Sequence, residues 1–344
     1  MVFTSKDFDN HELVTYHCDP KSNLKAIIAV HSTKLGPALG GCRMWPYMDE
    51  DEALTDVLRL SRSMTYKAAM ARLPLGGGKA VIIADPKKDK TPELFQEMGR
   101  FINHLHGLFI TAEDVGTSVE DMHQIYTETP YVSGLHLSHG GSGDPSPYTA
   151  LGIYRGMLGA VEYKLKKKSL KGLRVIVQGL GHVGMSLCET LHKEGAKLYV
   201  SDIDPTTVQK AVQNFEAMPF DPEKLYDAEA DIFAPCALGG ILNDETIPRL
   251  KVKIIAGSAN NQLAETHHGR ALLDRGILYA PDYIINAGGL INVFYEGPDY
   301  DRAKTVKHIN QMDSYLLEVF KMSDDLNIST SEAADQIAEE RLKG

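Results

Sequence analysis

The stretch Leu173–Gly184 constrains the fold more than any other part of this 344-residue chain. Its apolar strand runs directly into the pattern Gly179-x-Gly181-x-x-Gly184, and a helical segment and a second apolar strand follow. Asp202 ends that second strand, 23 residues after the first glycine. The glycines permit a tight turn, a close approach to a pyrophosphate and close packing of the helix on the strand. An acid at this distance within a strand–helix–strand unit predicts a doubly wound, Rossmann-type dinucleotide-binding domain.

The residues around Asp202 indicate which dinucleotide binds. Its carboxylate is expected to accept a hydrogen bond from a ribose hydroxyl. Ile203 and Asp204 follow with no arginine nearby, so the extra phosphate of NADP would meet negative charge and NAD is predicted. His182 and Val183 lie within the glycine pattern, at the helix N-terminus that faces the phosphates. No metal site is expected, because His182 has no second ligand at helical spacing.

The composition excludes several classes of partner. The net charge of −10 argues against nucleic acid or an anionic membrane as the main partner. The four cysteines are scattered and form no Cys-x-x-Cys pair, which suits a reducing cytoplasm rather than a disulfide framework or a zinc site. No signal-peptide core is visible, and no apolar run approaches the roughly 20 residues of a membrane helix. We therefore expect a cytoplasmic protein.

The rest of the chain predicts two domains. Strands and helices alternate through the first half, as in an α/β domain. The segment Gly140–Pro147 is a flexible entry into a long helix from about Tyr148 to Leu165. We therefore assign residues 1–145 to a substrate-binding and oligomerisation domain and residues 146–324 to the dinucleotide domain, and expect a C-terminal helix of about 325–344 to pack back on the first. Helix starts are predicted at Asp49, at Thr91-Pro92 and at a capping box, Thr117–Glu120.

A second glycine-rich stretch, Gly76-Gly-Gly-Lys79, carries candidate chemistry. Its glycines permit positive φ and a close approach of the backbone to a ligand, and the run is expected to lead into a strand from Ala80 to Ala84. Lys79 would lose water there, and its pKa would fall toward the neutral form that a general base needs. Lys67, at the end of the preceding helix, could meet a substrate carboxylate. The same residues also fit a surface turn with two solvated lysines, because a glycine run alone is a weak signal.

Six motifs along the chain share an order with those of a known family. They are Leu35-Gly-Pro-Ala-Leu-Gly-Gly41, Met64-Thr-Tyr-Lys67, Gly76-Gly-Gly-Lys79, Thr111-Ala-Glu-Asp-Val-Gly116, Ala256-Gly-Ser-Ala-Asn-Asn-Gln262 and Asn286-Ala-Gly-Gly289. The chain resembles the glutamate/leucine/phenylalanine/valine dehydrogenases from about residue 24 to residue 293, and within them most closely the leucine dehydrogenases. The resemblance implies an N-terminal α/β domain, a Rossmann NAD-binding domain, an active site in the cleft between them, and a homo-oligomer between a dimer and an octamer.

The resemblance also implies roles for the residues of these motifs. Lys67 binds the substrate carboxylate, with help from the backbone around Gly40 and Gly41. Lys79 is the catalytic lysine, and Asp114 exchanges protons with the substrate nitrogen. Oxidative deamination leaves an iminium ion that water attacks, so a neutral lysine and a carboxylate beside the nitrogen suit the reaction. Taken alone, Asp114 could instead merely pair with a lysine.

By the same resemblance, Leu39, Ala112, Leu290 and Val293 line the pocket for the substrate's side chain. Glutamate dehydrogenases place a lysine and a serine where Leu39 and Val293 stand. An apolar pocket leaves a second carboxylate unpaired, at a cost of several kcal/mol, so glutamate should be rejected. Leu290 is larger than the valine usual in leucine dehydrogenases and is similar to some phenylalanine dehydrogenases, whereas Ala112 favours branched-chain substrates.

The remaining matched residues are assigned to the cofactor or the substrate. Thr149 and Ala237 are expected to contact the cofactor, and Asn261 and Asn286 the substrate or the nicotinamide ribose, although helix capping would also explain the two asparagines. His182 and Asp144 replace asparagines usual in the family. His267 and His268 are expected to be surface residues. No role is predicted for Asp144.

The sequence thus predicts NAD-dependent oxidative deamination of leucine, valine and isoleucine to 2-oxo acids and ammonia, together with the reverse reductive amination. Three alternatives remain open at this point. An aromatic, phenylalanine-type dehydrogenase would share the same motifs. A catalytically silent NAD-binding protein would keep only the glycine loop. A pyridoxal-phosphate enzyme would use Lys79 as a Schiff base.

Overall fold

The structure, a computed structural model, describes residues 2–136, 141, 143–297 and 300–343. The chain folds into two compact units. Unit 1 comprises Met1–Gly143, Val293–Tyr300 and Arg341–Gly344, and unit 2 comprises Asp144–Asn292 and Asp301–Glu340. The sequence-based boundary at residue 145 thus lies close to the observed one. Residues 140 and 142 of the predicted flexible entry lie outside the described residues.

The C-terminal helix differs from the expectation. We expected residues 325–344 to pack on the first domain, but the chain belongs to unit 2 up to Glu340. The reason is a helix face of small residues with Ala333, Ala334 and Ala338 fully buried, and a hydrogen bond of 2.8 Å from the Tyr283 hydroxyl to Asp335 within unit 2. In unit 1, Arg341 donates to the carbonyl of Ala69 at 3.0 Å.

The elements of unit 1 form an α/β layer structure. Its strands are β1 (Leu13–Asp19), β2 (Leu24–Ser32), β3 (Ala38–Trp45), β4 (Gly76–Ile83) and β5 (Phe109–Glu113), and its helices are α1 (Glu50–Met70), α2 (Pro92–Asn103) and α3 (Val119–Tyr126). The sheet order is β1-β2-β4-β3-β5, with β3 parallel to both of its neighbours. Because side chains alternate along a strand, Val81 packs with α1 on one face, while Ala80 and Ile82 pack with α2 and α3 on the other.

Unit 2 contains the predicted doubly wound sheet. Its strands are β6 (Arg174–Gln178), β7 (Lys197–Ser201), β8 (Met218–Pro219), β9 (Ile232–Pro235), β10 (Ile254–Ile255) and β11 (Leu278–Tyr279). They are parallel and lie in the order β11-β10-β9-β6-β7-β8. The direction of strand succession reverses at β6, and such a switch point is where doubly wound sheets bind dinucleotides. The predicted fold class is therefore confirmed.

Nine further α-helices lie in the described part of the chain. They are α4 (Ser146–Leu165), α5 (His182–Lys193), α6 (Pro205–Phe215), α7 (His267–Asp274), α8 (Asp282–Ile285), α9 (Gly288–Phe294), α10 (Arg302–Ile309), α11 (Met312–Leu326) and α12 (Thr330–Lys343). Among the residues described, none of the helices is both long enough and apolar enough to cross a membrane.

The local signals of the sequence are partly confirmed. Asp49 and Thr91 cap α1 and α2 by accepting from the backbone N–H three residues on. The capping box lies one residue later than predicted, between Ser118 and Asp121, because Asp121 rather than Glu120 reaches back to the N-cap backbone. The strand predicted from Ala80 to Ala84 begins earlier than expected, because Gly76, Gly77 and Gly78 all lie inside β4 without left-handed backbone.

Two buried histidines hold the N-terminal segment on the sheet of unit 1. The backbone N–H of Asp9 donates to His11 Nδ1 at 3.2 Å, so His11 Nε2 carries the proton and donates to the carbonyl of Leu58 at 3.1 Å. His31 Nδ1 lies 2.9 Å from the Thr65 hydroxyl, and the two rings are 4.9 Å apart. Burial lowers the pKa of both rings, and the neighbouring His11 further lowers that of His31, to about 4.

These histidines predict a pH-dependent stability. The folded pKa of His31 lies below the 6.5 of an unperturbed histidine, so the unfolded chain binds more protons between those values. The contribution of neutral His31 to the free energy of unfolding is therefore complete above about pH 6.5. It is lost as the pH falls through about 4, and the loss is on the order of 3 kcal/mol. Urea unfolding across this range should show that loss in the wild type and in the exposed control His104→Gln, but much less of it in His31→Gln. An equally steep loss in His31→Gln would contradict the assignment.

Candidate active site

The sheet of unit 1 brings the predicted Lys79 and Asp114 together. Lys79 lies on β4, on the face that α1 covers, and Asp114 follows the last residue of β5. Lys79 Nζ is 2.8 Å from Asp114 Oδ2, and only 5% of Lys79 is exposed. The expected loss of water at Lys79 is therefore observed, and the lysine faces a carboxylate rather than apolar groups alone.

Gly41 makes room for this ion pair, and Gly40 lets β3 lie close against β4. A Cβ on Gly41 would lie 2.7 Å from the Asp114 Cβ and 3.2 Å from Lys79 Nζ, and one on Gly40 would lie 1.7 Å from the carbonyl oxygen of Gly78. Real Cβ atoms do not approach neighbours this closely, so β3 can pass between β4 and β5 here only without side chains. The glycines of this strand therefore form the floor of the candidate site.

Sequence reasoning missed Arg43. Its Nε donates to Asp114 Oδ2 at 2.9 Å, and 21% of its side chain is exposed. Burial raises the pKa of Asp114, but the charges of Lys79 and Arg43 outweigh burial and hold that pKa below its ordinary value. Asp114 is therefore ionised at neutral pH. Strand alternation offered a signal, because Arg43 stands two residues after Gly41 and so lies on the same face.

Lys67 lies in the last turn of α1 and is half-buried. A Cβ on Gly77 would lie 2.0 Å from the backbone nitrogen of Thr65, so the end of α1 packs directly on β4. Gly77 and Lys79 lie on the same face of that strand because they are two residues apart. The packing at Gly77 therefore places Lys67 on the same side of the sheet as the Lys79–Asp114 pair.

The four predicted pocket residues fall in different places. Leu39 is buried on β3, two residues before Gly41, and the half-buried Ala112 pairs with Gly41 across the β3–β5 ladder. Both thus lie on the face of the sheet that carries Lys79. Leu290 and Val293 lie on α9, Leu290 buried within unit 2 and Val293 half-buried within unit 1.

The glycine loop of unit 2 has the geometry that its sequence predicts. Gly179 has φ +93°, and a Cβ there would lie 2.7 Å from that of Ala237. A Cβ on Gly184 would lie 2.0 Å from the Gly179 carbonyl oxygen, so helix and strand pack backbone to backbone. A Cβ on Gly181 would meet no atom of the described chain within 4 Å. Gly181 therefore opens a space at the N-terminus of α5 that an anionic group can fill.

Three further predicted residues surround this loop. His182 is the exposed first residue of α5, and the half-buried Val183 follows it. Asp202 accepts the Leu180 N–H at 2.6 Å through Oδ2 and the Asp204 N–H at 2.9 Å through Oδ1. Asp202 thus ties the glycine loop to the end of β7. Because a carboxylate has about four lone-pair sites, Asp202 can still accept hydrogen bonds from ribose hydroxyls.

Asn286 carries a polar atom that lacks a partner. It is 5% exposed, and its Nδ2 donates to the Ser258 carbonyl at 3.0 Å and to Asn260 Oδ1 at 2.7 Å. Within the described part of the chain, its Oδ1 has no hydrogen-bond partner. A buried acceptor left unpaired costs about 1–3 kcal/mol, so a ligand donor such as a carboxamide or a hydroxyl would be favoured there.

Asn261 and Thr149 have structural partners as well. Asn261 is exposed with φ +51°, and its carbonyl accepts the Gly240 N–H at 2.7 Å. The Thr149 hydroxyl donates to the Pro145 carbonyl at 3.2 Å and lies 2.7 Å from where a Gly289 Cβ would stand. Asp144, which had no predicted role, accepts the Ser146 N–H at 2.8 Å at the start of α4.

The two adjacent histidines differ from each other. His267 is exposed as expected, but the surface prediction is wrong for His268, which is 2% exposed and whose Nε2 lies 3.3 Å from Asp244 Oδ1. Their ligand atoms and that of Asp244 all lie within 4.8 Å of one another. The Glu265 N–H donates to His268 Nδ1 at 2.9 Å, so the neutral ring carries its proton on Nε2. That nitrogen then has no lone pair for a metal, and we assign no metal to the cluster.

The glycine loop yields a contrast between two substitutions. Gly181→Ala should leave the melting temperature unchanged, because φ is −64° there and the space is open, but should weaken NAD binding by about tenfold or more. Gly184→Ala should destabilise the fold by about 2 kcal/mol, because its Cβ would overlap the Gly179 carbonyl. Calorimetric titration with NAD and thermal unfolding measure the two effects. Unchanged NAD affinity in Gly181→Ala would refute the pyrophosphate assignment.

The chain is similar to known proteins of one family. The sequence matches the Glu/Leu/Phe/Val dehydrogenase dimerisation domain over residues 13–131 and the Glutamate/Leucine/Phenylalanine/Valine dehydrogenase domain over residues 202–299. It is 55% identical to leucine dehydrogenase of Geobacillus stearothermophilus, over 99% of this chain and 93% of that one. It is 49% identical to phenylalanine dehydrogenase of Caldalkalibacillus thermarum, over 99% and 93%.

A solved structure gives the same result. The crystal structure of L-tryptophan dehydrogenase from Nostoc punctiforme has a TM-score of 0.86 at 46% identity, over 97% of this chain and 96% of that one. Similarity of this extent covers both units and every motif described above. The protein is therefore an amino-acid dehydrogenase that uses a nicotinamide cofactor, and it belongs to the glutamate/leucine/phenylalanine/valine dehydrogenase family.

Proposed function

We propose that the protein catalyses the NAD-dependent oxidative deamination of branched-chain L-amino acids to 2-oxo acids and ammonia, and the reverse reductive amination. The buried Lys79–Asp114 pair above the Gly40–Gly41 floor is the observation that carries the chemistry. The leucine dehydrogenase relative at 55% identity supports the substrate class.

Each side chain of unit 1 has a definite task in this proposal. Lys67 binds the substrate carboxylate, with help from the backbone around Gly40 and Gly41. Lys79 first releases its ammonium proton to solvent, and as a neutral amine it then takes a proton from the water that attacks the iminium carbon. Asp114 exchanges protons with the substrate nitrogen. Burial of Lys79 keeps bulk water from competing with these transfers. The bound nicotinamide supplies the hydride acceptor in one direction and the hydride donor in the other.

The cofactor in this proposal is NAD. Gly181 provides the open space for the pyrophosphate, and Gly179 and Gly184 shape the loop around it. Asp202 would receive the ribose hydroxyls, and its charge disfavours the phosphate of NADP. The unpaired Oδ1 of Asn286 fits a donor from the nicotinamide half of the cofactor. Thr149, Ala237, His182 and Val183 complete this proposed cofactor set.

The side-chain pocket supports branched-chain substrates. Leu39 and Ala112 place apolar groups on the Lys79 face of the sheet, and Leu290 and Val293 are apolar as well. Asn261 is proposed to contact the substrate. A phenylalanine-type preference is the alternative, since Leu290 and the phenylalanine dehydrogenase relative at 49% identity favour it. Because residues 13–131 match a dimerisation domain, we also propose that the chain forms a homo-oligomer.

The first test is a substrate panel with a catalytic variant. NADH formation at alkaline pH should be faster with leucine, valine and isoleucine than with phenylalanine, and should be absent with glutamate. Lys79→Ala should lower kcat by roughly 10² to 10⁴, the usual contribution of general acid–base catalysis. Lys90→Ala is the matched control, because Lys90 is also ion-paired in unit 1, with Asp121. Faster turnover of phenylalanine would favour the aromatic alternative, and NAD binding without any turnover would overturn the proposal.

A second test concerns the pocket. Leu39→Lys should create glutamate activity, because the ammonium would pair with the second carboxylate that an apolar pocket cannot solvate. Leu39→Met, which conserves volume and polarity, should keep leucine activity and give no glutamate activity. The ratio of kcat/KM for glutamate to that for leucine is the measurement. If Leu39→Lys folds and keeps some leucine turnover but never accepts glutamate, Leu39 does not line the pocket.

A further inference from the structure

Arg43 joins two carboxylates of unit 1. Its Nε donates to Asp114 Oδ2 at 2.9 Å, and its Nη1 donates to Asp56 Oδ2, also at 2.9 Å. The Tyr47 hydroxyl donates to the same oxygen of Asp56 at 2.6 Å. Arg43 lies on β3, and its guanidinium is held from two other parts of the chain, by Asp56 on α1 and by Asp114 directly after β5. We call Arg43, Asp56 and Tyr47 the arginine clamp.

The clamp acts on one oxygen of Asp114. Arg43 Nε and Lys79 Nζ both contact Oδ2, at 2.9 and 2.8 Å. Among the described residues, Oδ1 therefore remains the oxygen that a substrate can use. The backbone of Asp114 is fixed too, because its N–H donates to the Thr117 hydroxyl at 2.9 Å and that hydroxyl donates to the Cys42 carbonyl at 2.8 Å.

An arginine suits this position better than a lysine. The guanidinium offers separate N–H donors in a rigid plane, so Nε and Nη1 can serve Asp114 and Asp56 at once. A lysine nitrogen is a single point charge and cannot hold both carboxylates in fixed directions. Burial raises the pKa of Tyr47, and its hydrogen bond to Asp56 raises it further, so the phenol remains a donor throughout the working range.

We propose that Arg43 is a positioning residue of this dehydrogenase, which holds Asp114 by Oδ2 so that Oδ1 is presented to the substrate nitrogen. The proposal rests on the proposed function, in which Asp114 exchanges protons with that nitrogen. It assigns a task to a residue that none of the motif matches had singled out. Asp56 and Tyr47 act one step further away, by fixing the direction of the guanidinium.

The clamp has an electrostatic consequence as well. The titratable and charged groups near Asp114 are Lys79 on β4 and Arg43 and Cys42 on β3, with Asp56 and Tyr47 beyond Arg43. The Arg43 charge lowers the pKa of Asp114, so its removal raises that pKa. Removing the cation favours the protonated form of the whole Lys79–Asp114 pair, so a reaction that needs Asp114 ionised and Lys79 neutral loses rate at a higher pH than in the wild type. The acid limb of the kcat profile should move up by about one pH unit.

The test compares Arg43→Gln and Arg43→Lys with Arg59→Gln. Arg59 is the matched control, because it pairs with Asp7 at 2.7 Å in the same unit. Arg43→Gln should lower kcat by about tenfold or more and shift the acid limb upward, with little change in the KM for NAD. Arg43→Lys should restore the acid limb but not kcat, since it supplies charge without the fork. Arg59→Gln should change neither quantity.

Two outcomes would overturn the inference. A loss of kcat in Arg43→Gln that is equal at every pH, with the acid limb unmoved, would mean that Arg43 only stabilises the fold. If the wild type turns over no amino acid, the proposed function itself fails. In that case a double-mutant cycle of Arg43→Gln with Asp114→Asn, measured by urea unfolding, tests whether Arg43 holds Asp114. Coupling between the two substitutions would then support Arg43 as the holder of Asp114, and additivity would refute it.

Discussion

The buried ion pair between Lys79 and Asp114 is the interaction on which the candidate site depends. Removing two charges from water costs several kcal/mol per ion, and attraction repays this only when the geometry is good and further hydrogen bonds assist. Here Arg43 adds a second cation and Thr117 holds the Asp114 backbone. An ion pair assembled in this way gives the site fixed charges at fixed positions, which suits proton transfer better than it suits stability.

Glycines, which have no side chain, make that pair possible. Gly41 leaves room for Lys79 and Asp114 to meet beside β3, while Gly40 lets β3 lie against β4 and Gly77 lets α1 pack on β4. In unit 2 the absence of a side chain serves two different purposes: Gly184 packs on backbone, whereas Gly181 faces open space. Glycine patterns that look alike in a sequence thus mark packing at one position and a ligand at another.

The sequence predicted much of this from periodicity and motif order. The glycine loop, the acid at Asp202 and the alternation of strands and helices were sufficient for the doubly wound sheet, because these signals are local. The Gly76–Gly78 run was misassigned, since strand and turn both tolerate glycine and only neighbouring elements decide between them. His268 was misplaced for a similar reason, because its partner Asp244, 3.3 Å from its Nε2, is 24 residues away along the chain.

The sequence by itself determined the family and the fold class, and it led to the proposal of Lys67, Lys79 and Asp114 as site residues, because motifs are local and ordered. Only the tertiary structure decided which groups meet. Arg43 stands between Asp56 and Asp114, 13 and 71 residues away along the chain, and no local pattern links them. Hydrogen bonds and charges act over a few ångströms of space, so the partners of a charged side chain are known only once the sheet and its covering helix have formed.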